Sequence, residues 1–441
     1  MNVVLAKRET RGVVSDTFAT VRDRLPGTGK VTEARQQAFE AYERAGLPHR
    51  RLEDWKYTDL RALMRDVLPL AAAPDASALE RAKTALASLP ALDACRLVLV
   101  DGVLAPALSD LAAPEIGVRV QTLREVLEDN ANAAAADLLQ NGAMSGSMVA
   151  LNAAMATDGV LVTVADRAVL NKPIHIVHIA TRSSASTYTR SFLKFGRAAH
   201  ATLLESFVAA EGTKSYQVND AVTLWLGDDA ELQHVRLMAD SADAANITTA
   251  IFTIGAKARL TTFNMTSGGS LSRYQGYLTF AGEGAEVNAN GVNLLNGRQH
   301  ADTTLFLDHA VPNCTSREVF RAVVDDRAHS VFQGRIIVKP DAQKTDAKMM
   351  TRALLLSDEA EADNKPELEI FADDVTCGHG ATTGALDESL LFYLRARGLS
   401  EKEAQALLIQ AFVGEAIESI ASDMLRELAI TTAQRWLEAR G

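Results

Sequence analysis

Cys377 and His379, in Thr376-Cys-Gly-His-Gly380, are the two side chains whose types and spacing most readily suggest chemistry. In an extended segment, alternate residues leave the same face, so this thiol and imidazole can reach one ligand or one partner surface. Thiolate and imidazole both suit iron. On spacing alone, a packed cysteine beside a structural histidine is the commoner outcome. Counting limits the chemistry further. A metal centre commonly takes about four protein ligands, and only these two soft donors stand close together. Cys314, in Pro312-Asn-Cys-Thr315, reads as a turn or core thiol. Cys95 lies beside the apolar run Arg96-Leu-Val-Leu-Val-Asp-Gly102 and reads as packing.

The remaining histidines promise less. His175 and His178, in Ile174-His-Ile-Val-His-Ile179, fall on opposite faces of a strand, which disfavours a joint metal site. His300 and His309 flank Thr303–Leu307 and can meet only across a turn, so each is expected as a surface or core residue. No Gly-x-x-x-x-Gly-Lys-Ser/Thr phosphate loop occurs, so the chain carries no ATP site of its own. Neither a Gly-x-Ser-x-Gly elbow nor a His-Glu-x-x-His motif is present. Asp373 and Asp374 are adjacent, hence on opposite faces if extended, and read as solvated or turn residues rather than paired catalytic carboxylates.

Composition narrows the class. The chain has 441 residues, a formal charge of −11 and 47% hydrophobic residues, with aromatics at only 5%. That length can bury a large core, built here of small aliphatic layers. Acidity and the lack of any Lys/Arg cluster argue against nucleic acid. No run of about 18 apolar residues is present, which argues against a membrane span, and Met1–Ala6 is too short for a signal-peptide core. Three scattered cysteines do not make a disulfide framework; a reducing, cytoplasmic location is expected.

The elements that must position Cys377 and His379 fall into three zones: a mostly helical domain over 1–147, a strand-rich core over 148–380 and a helical domain over 381–441. In the first, the spacing predicts a helix over Glu33–Ala45 entered after Thr32 and stopped by Gly46. Further Ala/Leu-rich helical pieces are expected over Ala78–Ala87 and Thr122–Leu139, with a short strand from Arg96. In the second, Gly-x-x-Ala-x-apolar recurs from Gly196, Gly227, Gly255 and Gly282, at steps of 31, 28 and 27 residues. A small corner residue leading into inward-pointing residues two apart is a turn-to-strand signature. Steps of this size predict a stacked solenoid of β-coils, in which each unit buries its face against its neighbours. An ordinary β-sandwich is the alternative. In the third zone Asp387 caps a helix over Glu388–Arg397 that stops at Gly398, and Ser400-Glu-Lys-Glu403 is a capping box. The helix after it is read with Ala404, Leu407, Leu408, Ala411, Phe412, Ala416, Ile417 and Ile420 along one broad face.

Several of these segments together resemble one family. Gln343-Lys-Thr-Asp-Ala-Lys348, Leu354-Leu-Leu-Ser-Asp-Glu-Ala360, Pro366-Glu-Leu-Glu-Ile370, Asp373-Asp-Val-Thr-Cys-Gly-His-Gly-Ala-Thr382 and Leu390-Leu-Phe-Tyr-Leu-Arg-Ala-Arg-Gly-Leu-Ser400 are similar to the SufB/SufD family of the SUF iron–sulfur assembly system. Arg51-Leu-Glu-Asp-Trp-Lys-Tyr-Thr58 resembles a motif of its SufD branch, which the length also favours. One departure is Gly378, where the family more often has Ser.

The resemblance implies a right-handed parallel β-helix between helical ends, and complexes with SufB and with the ABC-type ATPase SufC. It implies a non-enzymatic scaffold lending His379, with Cys377 as a second candidate, to a transient iron–sulfur site shared with SufB. It further implies a SufC docking surface near Phe392, Tyr393, Arg395 and Phe412. Two other functions compete: a polysaccharide-active β-solenoid enzyme, disfavoured by the scarcity of aromatics, and a structural homodimer without a cluster role.

Overall fold

The repeated glycines are corners. In the computed structural model, which describes residues 17–111, 115–140 and 146–440, each Gly-x-x-Ala unit turns the chain from one sheet into the next. Its third residue is left-handed: Ala198, Asp229, Lys257 and Gly284 have φ of 51°, 58°, 55° and 70°. The alanine that follows is wholly buried in all four. Glycine leads the unit because corners stack directly. A Cβ on Gly227 would lie 2.8 Å from the backbone nitrogen of Arg197 one coil below, and one on Gly255 2.8 Å from that of Asp228. Cys314 takes the alanine's place in a later corner, after left-handed Asn313, and is completely buried. It is a corner thiol, as its surroundings suggested.

From Val160–Val164 onward, strands alternate in chain order between a nine-stranded and a ten-stranded sheet, so each coil contributes one strand to each. Pairing is parallel along the whole stack. In-register stacking makes ladders of like side chains. Leu224, Phe252, Leu278, Leu307 and Ile336 lie over one another inside the coil and are buried. Each such side chain stabilises by roughly 1.5–3 kcal/mol. The solenoid expectation is met, and the sandwich alternative is not.

The stack is closed at one end and open at the other. At its start, the short strands Val103–Leu104 and Val118–Thr122 add antiparallel to the two sheets. At its finish, Glu361–Ile370 and Thr376–Gly384 are the outermost strands of their sheets and have one partner each. The first zone therefore supplies strands as well as helices: Cys95–Val100 pairs with Ile174–Ala180 inside the ten-stranded sheet. The divisions expected at 147/148 and 380/381 fall within the helix Ser147–Met155 and the strand Thr376–Gly384.

Helices cover the outer faces. The helix Lys30–Ala45 packs on Ser147–Met155. Together they cover Tyr188, Phe192, Ile247 and Leu271 on the nine-stranded sheet. The helix begins before Thr32, behind Gly29, and Thr32 does not cap it. Thr122–Leu139 is not continuous helix: Leu123–Glu128, capped by Thr122 and Glu125, is separate from a 3-10 turn over Ala135–Leu139. At the other end, Glu401–Ile417 and Asp423–Ala439 cover Val235, Phe263, Val292 and Val323 of the ten-stranded sheet. The face expected of the first of these needs correcting. Ile409 and Val413 are buried, whereas Leu407 is 46% exposed. The helix is apolar nearly all round, so the sheet, not the periodicity, selects the side it covers.

The Arg51–Thr58 motif forms a strap over the nine-stranded sheet. Trp55 lies 3.8 Å from the guanidinium of Arg273, which is ion-paired with Asp302 inside the protein. Thr58 and His300 bond at 2.9 Å, and the Asp54 carbonyl accepts from Gln333 Nε2 at 3.3 Å. Glu53 reaches Lys365 on the outermost strand. The strap thus ties the N-terminal zone to the open end.

Candidate functional site

Cys377 and His379 stand on the outermost strand of the ten-stranded sheet, in register with Ala347 and Met349 of the coil beneath. Those two are buried in the interior core, so the thiol and imidazole share the inward face of the last coil. Cys377 is half-buried against that core, and His379 is exposed. No further coil covers them among the described residues. The expected same-face placement is met because the segment is extended. A Cβ on Gly378 would meet nothing within 4 Å, so a serine there would fit.

Below them lies a buried carboxyl that sequence reasoning missed. Glu318 stacks under Met349 and His379, and Ser316 under Ala347 and Cys377. Burial pushes the Glu318 carboxyl up to about 8, against the opposing pull of Ser316 and Arg317. The Ser316 hydroxyl is the near polar group, but neither carboxyl oxygen makes a well-formed hydrogen bond. Ser316 Oγ also lies 3.1 Å from His309 Nε2. His309 is stacked on Phe280, and burial lowers its pKa to about 4. The Cys377 thiol is raised by burial first, then by the nearby carboxylates Asp346 and Glu318. A raised thiol stays protonated at neutral pH and becomes a good ligand when a metal displaces its proton. No single-residue signal announces Glu318; only the register of three coils brings it under the pair.

His175, His178, His300 and His309 are buried in the core. His175 bonds Ser206 at 2.9 Å, and His178 stacks on Phe207 with ring centres 4.2 Å apart, on the opposite side of the strand. Asp374 is a surface residue paired with Lys344.

Four residues were expected at a partner surface, and the structure separates them. The helix Glu388–Ala396 buries none of its side chains. Phe392 is 74% exposed and Tyr393 54%, the latter under the Arg397 guanidinium at 4.9 Å. Arg395 pairs with Glu401 at 3.6 Å in the open. Phe412 is different: it is half-buried, 5.6 Å from the buried Arg321 guanidinium. It lines a groove of about 290 Å³ with Leu390, Leu408 and Leu354.

Two family models match in tandem. Residues 22–176 match the SufBD protein N-terminal region, and residues 178–412 match the SufBD core domain of SUF-system FeS cluster assembly. The chain belongs to the SufB/SufD family. Among its relatives within SufBD, the chain is 30% identical to the iron–sulfur cluster assembly protein SufD of Escherichia coli, over 91% of this chain and 92% of that one. It is 31% identical to an iron–sulfur cluster assembly SufBD family protein of Synechocystis, over 88% of this chain and 86% of the relative. A SufD of Bacillus subtilis is 23% identical over 65% of this chain and 66% of its own. The SufBD core model covers most of the coil and includes the last coil with Cys377 and His379. Among the described residues, no helix is long and apolar enough to cross a membrane.

Proposed function

We propose that this chain is a SufD-like scaffold subunit of the SUF system, not an enzyme, that lends His379 and Cys377 to a nascent iron–sulfur cluster completed by SufB. The observation carrying this reading is the open last coil, which holds a thiol and an imidazole on its inward face beside an unpaired strand. The cluster is cargo: two ligands hold it incompletely, and a partner must bring the rest.

The two free edges support pairing with another solenoid, but unequally. Glu361–Ile370 carries Pro366, four acidic residues and Lys365, features that discourage indiscriminate strand addition. Thr376–Gly384 carries neither proline nor a charged residue other than His379. Strand addition along it would bring a partner's ligands next to Cys377. The same edge would serve a homodimer when SufB is absent.

The exposed helix Glu388–Ala396 supports docking of the ATPase SufC. Phe392 and Tyr393 are the anchors, and Phe412 shapes the groove behind them. Since the chain reads as having no phosphate loop, ATP hydrolysis belongs to that partner, in a cytoplasmic complex.

The test is anaerobic reconstitution with SufB and SufC. Iron–sulfur absorbance should grow in the mixture and not in this chain alone, and His379→Ala should slow it at least tenfold. Normal assembly by His379→Ala in an intact complex overturns the shared site.

A further inference from the structure

Far from the open end, the interior of the early coils is polar. His178 and Glu205 project from neighbouring strands of the ten-stranded sheet and Asp220 from a strand of the nine-stranded sheet, and one donor atom from each lies within 4.8 Å of the others. All three residues are buried. From this convergence we propose a second metal site, a structural divalent first-row cation held by His178, Glu205 and Asp220 within the coil. It is independent of the cluster reading.

The surroundings are built around these three. Asp220 Oδ1 accepts from Thr189 Oγ1 at 2.5 Å, while Oδ2 is buried without a partner. That orphan oxygen is the second observation pointing to a ligand, since a buried acceptor left unmade is costly. Glu205 is held from behind by His234 Nε2 at 2.7 Å, and His234 Nδ1 lies 3.0 Å from Thr262 Oγ1. An outer group that fixes a ligating carboxylate in this way is usual at metal centres. Phe207, stacked on His178 almost in parallel, fixes the imidazole plane.

Charge favours a cation between the carboxylates. Two anionic oxygens this close in a dry interior repel strongly unless something positive intervenes. The nearby guanidinium of Arg236 makes its hydrogen bonds elsewhere. It donates to Asn264 Oδ1 at 2.9 Å, Thr248 Oγ1 at 2.6 Å and Asn246 Oδ1 at 3.3 Å, and it lies over the rings of Phe207 and Tyr274. Asp240, the next carboxylate, is spoken for by Tyr216 and Asn246.

The donor set identifies the class of ion. One imidazole and two carboxylates with no thiolate suit iron(II), zinc or manganese(II), and are too few and too nitrogen-rich for calcium. Because the site is sealed, the ion enters during folding and serves stability, not turnover.

The experiment uses full-length Cys377→Ala/His379→Ala protein, so that iron at the coil end does not contribute. Refolding with iron(II), zinc or manganese(II), followed by desalting and elemental analysis, should leave about one ion per chain for at least one of the three metals. The retained metal should raise the thermal midpoint relative to protein refolded with chelator. Adding His178→Gln or Asp220→Asn should abolish both effects. If Asp220→Asn does not fold, His178→Gln decides. Protein that folds identically with chelator and retains none of the three metals overturns the proposal, as does full retention in His178→Gln. In the first case a shared proton holds the two carboxylates together; in the second the metal sits elsewhere. Failure here leaves the cluster assay untouched, because that assay reads His379.

Discussion

Glu318 has the clearest consequence at the scale of single residues. Its carboxyl lies in the interior, is raised to about 8 by burial, and makes no well-formed hydrogen bond through either oxygen. A carboxyl whose folded pKa exceeds its unfolded value contributes fully only below the unfolded pKa. That contribution drains away as pH rises through about 8, because the unfolded chain releases the proton first. Glu318→Gln keeps the neutral shape without the titration. The thermal midpoint of the variant should therefore gain on the parent from about pH 5 to about pH 8 and level off above it. A gap that stays constant across that range, measured by scanning fluorimetry, would show that Glu318 is not titrating in the fold. The proposed cluster site shares in this: a Glu318 anion formed at high pH raises the Cys377 thiol and opposes the thiolate.

At the scale of elements, corners and strands carry the fold. Gly282 packs so closely on the backbone of Ala256 that a Cβ would collide with it, whereas Gly384 on the outermost strand has open space around its own. Gly282→Ala should cost about 2–4 kcal/mol, at the upper end of single substitutions, while Gly384→Ala should fall within about 0.5 kcal/mol of the parent. Urea unfolding compares them directly, and equal midpoints would mean that the corners do not stack as described.

This corner signal is also what made the coil legible, because a glycine, a left-handed residue and a buried alanine recur in sequence order. The Cys377–His379 pair was legible for a similarly local reason: two residues apart on one strand share a face. The polar interior was not legible. His178, Glu205 and Asp220 belong to different strands, and only coil-on-coil register brings them together. Alternation along Ile174–Ala180 correctly separated His175 from His178 but could not show what either faced. Helix faces failed for another reason: Glu401–Ile417 has apolar residues on every side, so sequence alone could not tell Ile409 from Leu407.

The whole molecule is a one-dimensional stack with unequal ends. Its first coil is blunted by short antiparallel strands, and its last presents strands of ten and nine residues with one free edge each. In such a stack each coil is held by its neighbours, so the central coils, held on both sides, open least and the last coil opens most. The strap through Glu53 and Lys365 and the helices over Val323 and Leu354 slow that fraying without pairing the edges. Hydrogen exchange on the isolated chain should accordingly run as a gradient along the axis. Amides of Leu271–Phe280 should exchange at least a hundredfold more slowly than those of Thr376–Gly384. Adding SufB should then protect Thr376–Gly384 and leave the central strands unchanged, because strand addition gives the last coil the neighbour it lacks. Uniform protection in the isolated chain would mean that the edge is already covered. Protection by SufB confined to the helix Glu388–Ala396 would move the subunit contact away from Cys377 and His379.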